Sequence, residues 1–159
     1  MNTSTDSSLC FEIFEPGDKT ALICMDVPEM ERLVVEQIRD LGYKVHTVFS
    51  AEDFIHKLHT HHYDVVVIAE NFAASTLYSN PVLAEAVNTP AAQRQRQVVV
   101  LIGASLKTAD EMQAFQNSVD LVISLTDIAS LRPVVRRVTN FAHDFYARYL
   151  EAVSLADVA

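Results

Sequence analysis

Asp64-Val65-Val66-Val67-Ile68-Ala69-Glu70 is a short apolar run, mostly β-branched, held between two acids. A run of this length and composition predicts a strand buried on both faces, as in a parallel sheet covered by helices. In open sheets of that kind ligands gather where the strands end. Ala69 and Glu70 therefore mark the place to look for chemistry.

Working outward, four more runs read as strands: Thr20 to Met25, Tyr43 to Val48, Gln97 to Gly103 and Leu121 to Ser124. Helical spacing fills the intervals. Pro28 opens a helix in which Met30, Leu33, Val34, Ile38 and Leu41 recur until Gly42 stops it. Ser50 caps a second, with Asp53 as the acid at the third helical position and Phe54, Ile55 and Leu58 facing inward. Pro81 to Val87 is a short helix, and Thr89 to Arg96 a loop or helical turn. Thr108 is expected to cap a helix through Phe115, and a last helix starts near Asp127 or Ser130 with Pro133 in its first turn. The alternation predicts an α/β three-layer sandwich around a five-stranded parallel sheet.

At 159 residues the chain fits one core-bearing domain. The expected division is an N-terminal arm over 1–18, a domain over 19–141 and an extension of the last helix over 142–159. In the arm, Leu9 to Phe14 is apolar enough to need a surface, on this chain or on a partner. The formal charge of −9 repels nucleic acid and anionic lipid. Neither a membrane-length apolar run nor a secretory signal is present, so the reading is a cytoplasmic protein. Cys10 and Cys24 form no CxxC pattern and suit a reducing compartment.

From Thr20 to Phe141 the arrangement resembles the receiver domain of two-component response regulators. The residues that carry the likeness are Asp26 and Pro28 after the first strand, Leu41-Gly42-Tyr43 before the second, Ser50-Ala51-Glu52-Asp53 opening the second helix, and Asp64 leading the third strand. The resemblance implies a flavodoxin-like strand order of 2-1-3-4-5. It also implies a phosphoacceptor aspartate ending the third strand, Mg²⁺ held by that residue and two acids after the first strand, a hydroxyl on the fourth strand and a lysine on the fifth. Hard oxygen ligands suit Mg²⁺, and cations with a hydroxyl stabilise a transferring phosphoryl group.

Those positions are degenerate here. Met25 replaces the first acid, while Asp26 matches the second. Ala69 stands for the phosphoacceptor, with Glu70 one residue later. Ile102 or Gly103 takes the hydroxyl position, Ser105 falling too far along, and Ser124, or Leu125 on a one-residue shift, takes that of the lysine. The resemblance is thus to a pseudo-receiver with a remnant acid pocket of Asp26 and Glu70, no metal, no cofactor and no catalytic activity. Strand alternation favours a solvated loop carboxylate for Glu70 over a mimic of phosphorylated aspartate. A helix N-cap is favoured for Asp26 over a metal ligand.

Three further features stand out. His56, His59, His61 and His62 crowd the end of the second helix, where a solvated cationic end is favoured over a metal site. Gln93-Arg94-Gln95-Arg96 is a basic island, read as a solvated loop. In the last helix Leu131, Val135, Val138, Ala142, Phe145, Tyr149, Ala152 and Ala156 recur at steps of four and three, and Phe141 widens this heptad seam. No phosphate-binding loop, nucleophile elbow or HExxH motif occurs. The expected function is a phosphorylation-independent protein-interaction or signalling module, binding a protein partner or a second copy through the terminal helix. The alternative is a divergent receiver that still binds Mg²⁺ or a small anion at Asp26 and Glu70.

Overall fold

A computed structural model describes residues 12–74 and 79–158 of the chain. Five strands, β1 (Lys19–Cys24), β2 (Tyr43–Thr47), β3 (Val65–Ala69), β4 (Val98–Gly103) and β5 (Leu121–Ser124), form one sheet in the order β2-β1-β3-β4-β5. All four pairings are parallel, and the register sets Cys24 beside Ile68, Ala69 beside Ile102 and Gly103 beside Ser124. The three inner strands are buried along nearly their whole length, which is why their sequences run apolar instead of alternating. This is the flavodoxin-like three-layer sandwich that the sequence predicts.

The helices are α1 (Pro28–Asp40), α2 (Ala51–Thr60), α3 (Pro81–Val87), α4 (Ala91–Arg94), α5 (Glu111–Gln116) and α6 (Leu131–Val158), with 3₁₀ turns at Phe72–Ala74 and Leu125–Ser130. Helix α1 opens on Pro28, whose missing N–H costs nothing in a first turn. It closes at Gly42, whose φ of 94° suits a residue without a β-carbon. Helix α2 is capped as its sequence indicates: Asp53 N donates to Ser50 Oγ at 3.0 Å, and Asp53 Oδ2 accepts from Phe49 N at 3.3 Å. Phe54 and Leu58 enter the core and Ile55 packs at its edge.

Helix α5 corrects one expectation. Its N-cap is Asp110, which accepts from Gln113 N at 3.0 Å, not Thr108. Thr108 instead donates to Asp127 Oδ2 at 2.6 Å and accepts from Ser124 N at 2.9 Å, fastening the loop before α5 to the end of β5. A short acid at 110 out-competes the earlier hydroxyl because its side chain reaches the first free N–H groups of the helix.

Helix α6 follows β5 and returns past the amino-terminal edge of the sheet. Gln37 of α1 fixes its start, donating to Ile128 O at 2.6 Å and accepting from Arg132 N at 3.1 Å. Leu131 and Val135 are buried, and Val134, Val138 and Ala142 are half-buried against the core. Among the described residues from 143 to 157 only Tyr146 is partly covered. The overhang leaves a groove of about 510 Å³ bounded by Tyr146 and Leu150 on the helix and by Lys19, Tyr43 and Arg96 at the strand starts. No helix among the described residues is long and apolar enough to cross a membrane.

At the other edge of the sheet, the described part of the arm lies on its own domain. Phe14 stacks on His46 with ring centroids 3.9 Å apart, and Glu12 accepts from Val45 N at 2.7 Å while pairing with Arg39 at 3.2 Å. Leu9, Cys10 and Phe11 lie outside the described residues.

Candidate functional site

The carboxyl ends of β1, β3 and β4 open into a cleft of about 250 Å³ bordered by Met25, Asp26, Met30, Ala69, Glu70 and Gly103, with Leu125 closing one side. The geometry brings together every position that the resemblance reads as degenerate except Ser124. Met25 and Ala69 are almost fully buried, so the floor beneath the two acids is apolar. Leu125, at the shifted alternative for the family's lysine, borders the cleft. Ser124 faces away: its N–H donates to Thr108, and its hydroxyl lies 2.9 Å from Thr126 Oγ1.

Asp26 does not cap α1. The N-cap position is Val27, which makes no side-chain capping bond, and Asp26 Oδ2 instead accepts from Ala73 N at 2.8 Å. This ties the end of β1 to the loop after β3, where Ala73 has left-handed torsion angles. The proline at position 28 already removes one N–H that a cap would serve, so the carboxylate is available to the neighbouring loop.

Glu70 departs from its expected place in solvent. Its N–H continues the sheet ladder to Ile102 O at 2.8 Å. Its carboxylate folds across the end of β4, accepting from Ala104 N at 2.9 Å and from Ser105 Oγ at 3.2 Å. A β-carbon built on Gly103 would collide with that carboxylate. Ser105, set aside in the sequence as too distant, is thus part of the site. Strand alternation missed this because it describes where a side chain starts, not where a four-bond side chain ends once the neighbouring position is empty.

The Mg²⁺ that the receiver resemblance implies does not fit these residues. Asp26 and Glu70 are each turned onto a backbone N–H, and Met25 and Ala69, at the positions where the resemblance calls for further acids, offer no oxygen ligand. Among the described residues no cluster of three or more His, Cys, Asp or Glu side chains is placed to hold a metal ion. Glu31, in the first turn of α1, has its carboxyl pushed above the ordinary range by burial and by the nearby charge of Asp26.

The histidines disperse. His59 pairs with Glu85 of α3 at 2.8 Å, His62 faces Asp64 at 3.4 Å, and His61 joins an aromatic group with Phe14, His46 and Tyr63. Within the basic island Gln93, Gln95 and Arg96 are exposed, as expected of a solvated segment, while Arg94 is a structural clamp. Arg94 bonds Gln97 O, Asp120 Oδ2 and Ser118 O at 2.9, 2.8 and 3.1 Å, joining the starts of β4 and β5. Sequence reasoning also passed over His46, buried within β2. Its Nδ1 lies 2.7 Å from Tyr63 Oη and its Nε2 2.7 Å from Glu12 O. A carbonyl only accepts, so Nε2 carries the proton and Nδ1 accepts from the tyrosine. Burial lowers the His46 pKa and raises that of Tyr63.

The heptad seam divides. Leu131 and Val135 are spent on the domain's own core, and Val138 and Ala142 are partly covered by it. Phe141 and Phe145 are 70% and 64% exposed, with their rings 6.3 Å apart, and Tyr149 follows on the same face. An interface could therefore use the second group of seam residues but not Leu131 or Val135.

This is the fold of response-regulator receiver domains. The receiver domain of a Francisella response regulator superposes with a TM-score of 0.60 at 14% identity, covering 77% of this chain and 98% of that one. A CheY-like receiver domain from Methylobacillus flagellatus gives 0.58 at 24% identity, covering 77% and 99%. The receiver domain of a sensor histidine kinase from Pseudomonas aeruginosa, which coordinates magnesium in its active-site cleft, gives 0.60 at 17% identity, covering 78% and 99%. No protein-family model and no curated protein matches the sequence.

Proposed function

We propose that this chain is a receiver-like signalling module that works through protein contacts and without phosphoryl transfer. The observation that carries the reading is the pairing of Ala69 with Glu70. At the β3 end a buried methyl group occupies the position that the resemblance assigns to the family's acceptor, and the next side chain lays a carboxylate over Gly103, bound to Ala104 N and Ser105 Oγ. That carboxylate is an anion already seated at the end of β4. The contact surface is the exposed apolar face of α6, and its partner is a protein or a second copy in the cytoplasm.

The test is incubation of the full chain with Mg²⁺ and acetyl phosphate, followed by intact mass, and with Mg²⁺ and beryllofluoride, followed by amide shifts. The expected result is an unchanged mass and no saturable shift at Asp26, Ala69, Glu70 or Ala104. A stoichiometric adduct would overturn the proposal.

A second reading has one observation in its favour: Asp26 and Glu70 border the same cleft. A small cationic or anionic ligand entering there would compete with the bonds to Ala73 and Ala104. A saturable rise in melting temperature with Mg²⁺ or inorganic phosphate, lost in Asp26→Asn, supports that reading.

A further inference from the structure

The apolar face of α6 is bordered on one side by charges whose order indicates what covers it. Wound at about 100° per residue, Phe141, Phe145, Tyr149 and Ala152 fall within one quadrant of the helix. The quadrant on one side holds Arg137, Asp144, Arg148 and Glu151, alternating in sign along the axis. The quadrant on the other side holds Val135, Thr139, Ala142, Tyr146 and Val153, with Asp157 at its far end as its one charged residue, and its first half rests on the domain.

We infer that α6 pairs with α6 of a second copy in the antiparallel sense, crossing near Phe145. When two identical helices pack antiparallel, each flank meets the same flank of its partner; when they pack parallel, each flank meets the opposite one. Only the antiparallel pair sets the charged flanks against each other. With the crossing at Phe145, Arg137 of one copy lies within about 3 Å, along the axis, of Glu151 of the other, and Asp144 lies equally near Arg148. A parallel pair places all four charges against a flank whose one charge, Asp157, stands at the far end of the helix. Phe145 also lies near the middle of the 28-residue helix, and the overlap it centres runs from Arg137 to Val153, clear of Leu131 and Val135, which the domain's own core buries. The two exposed phenylalanines of each copy meet at the centre, where burial contributes most.

This inference rests on reading the chain as an interaction module, and its test can fail separately from that reading. Sedimentation equilibrium of the full chain is compared with Arg137→Glu, Glu151→Arg and the double reversal, all surface changes that leave the domain core untouched. The wild type is expected to be a dimer, each single reversal to weaken it at least tenfold, and the double reversal to recover most of the loss. Orientation is read from Ala156→Cys in a Cys10→Ser, Cys24→Ala background, which cross-links to itself in a parallel pair and does not in an antiparallel one. A monomeric wild type, a dimer indifferent to both single reversals, a double reversal weaker than either single, or self-cross-linking at position 156 each overturns the inference. A monomer that also takes up no phosphoryl group defeats self-pairing alone; a phosphorylated antiparallel dimer defeats the proposed function alone.

Discussion

The carboxylate of Glu70 lies over the α-carbon of Gly103, in the volume that any side chain at position 103 would need. The two residues are therefore coupled although they belong to neighbouring strands and form no hydrogen bond with each other's side chain.

The coupling has a measurable size. Gly103→Ala forces Glu70 off Ala104 N and, because only the end of a flexible side chain must move, is expected to cost about 0.5–1.5 kcal/mol, that of the lost hydrogen bond. In a Glu70→Ala background the same change should cost little, giving an interaction energy of about 1 kcal/mol in a double-mutant cycle read by urea unfolding. Strict additivity of the two changes would remove the steric account.

Position 108 separates capping from tethering. Thr108→Val keeps the shape and deletes both hydroxyl bonds, to Asp127 and from Ser124 N, at an expected cost of about 1–3 kcal/mol. Asp110→Ala removes the cap of α5 and should cost about 1 kcal/mol. Amide exchange distinguishes them: the first loosens the end of β5, the second the first turn of α5.

Acid should weaken the β2 edge through His46. Its folded pKa lies below the usual value of about 6.5, chiefly because burial disfavours the charged ring. Nearby His61 and Lys57 push the same way, while Glu12 opposes them. The unfolded chain thus binds the extra proton first, so this contribution is complete above pH 6.5 and is lost as the pH falls towards the folded pKa. Urea unfolding across that range should show stability falling with pH, and His46→Gln should flatten the fall.

Arg94 is half-buried between exposed neighbours in the sequence. Arg94→Met leaves Asp120 with Val99 N as its remaining partner and uncouples the starts of β4 and β5. The expected loss is about 1–3 kcal/mol by urea unfolding, reflecting bonds to charged groups. Arg96→Met, on the rim of the groove beneath α6, should change stability by less than about 0.5 kcal/mol.

The strands were legible because burial on both faces demands runs such as Val65 to Ala69 and Val98 to Ile102, and nothing else in the chain has that composition. The cap at Ser50 was legible because its acid stands three residues later. Thr108 misled because Asp110 competes for the same helix start, a contest settled by side-chain reach. The cleft was legible only in part: Ser124 lies outside it, and Ser105, set aside in the sequence, bonds Glu70. Met25, Asp26, Ala69, Glu70 and Gly103 do meet in one cleft. Yet the turn of Asp26 towards Ala73 depends on a loop with left-handed torsion angles, and that of Glu70 depends on an absent side chain across the sheet. Neither dependence is written in the local pattern of the residue it governs. In α6, the seven-residue spacing was plain, but the point at which the domain stops covering it follows from the depth of the sheet.

The exposed half of α6 gives the proposed module a variable to respond to. A pairing face that needs no covalent event to become available is filled according to how many copies are present, by mass action alone. Under the proposed self-pairing, the chain reads its own concentration: below the dissociation constant the phenylalanine face stays uncovered, and above it the face disappears into a dimer. Synthesis and degradation would then set the state that, in a phosphorylated receiver, is set by a kinase.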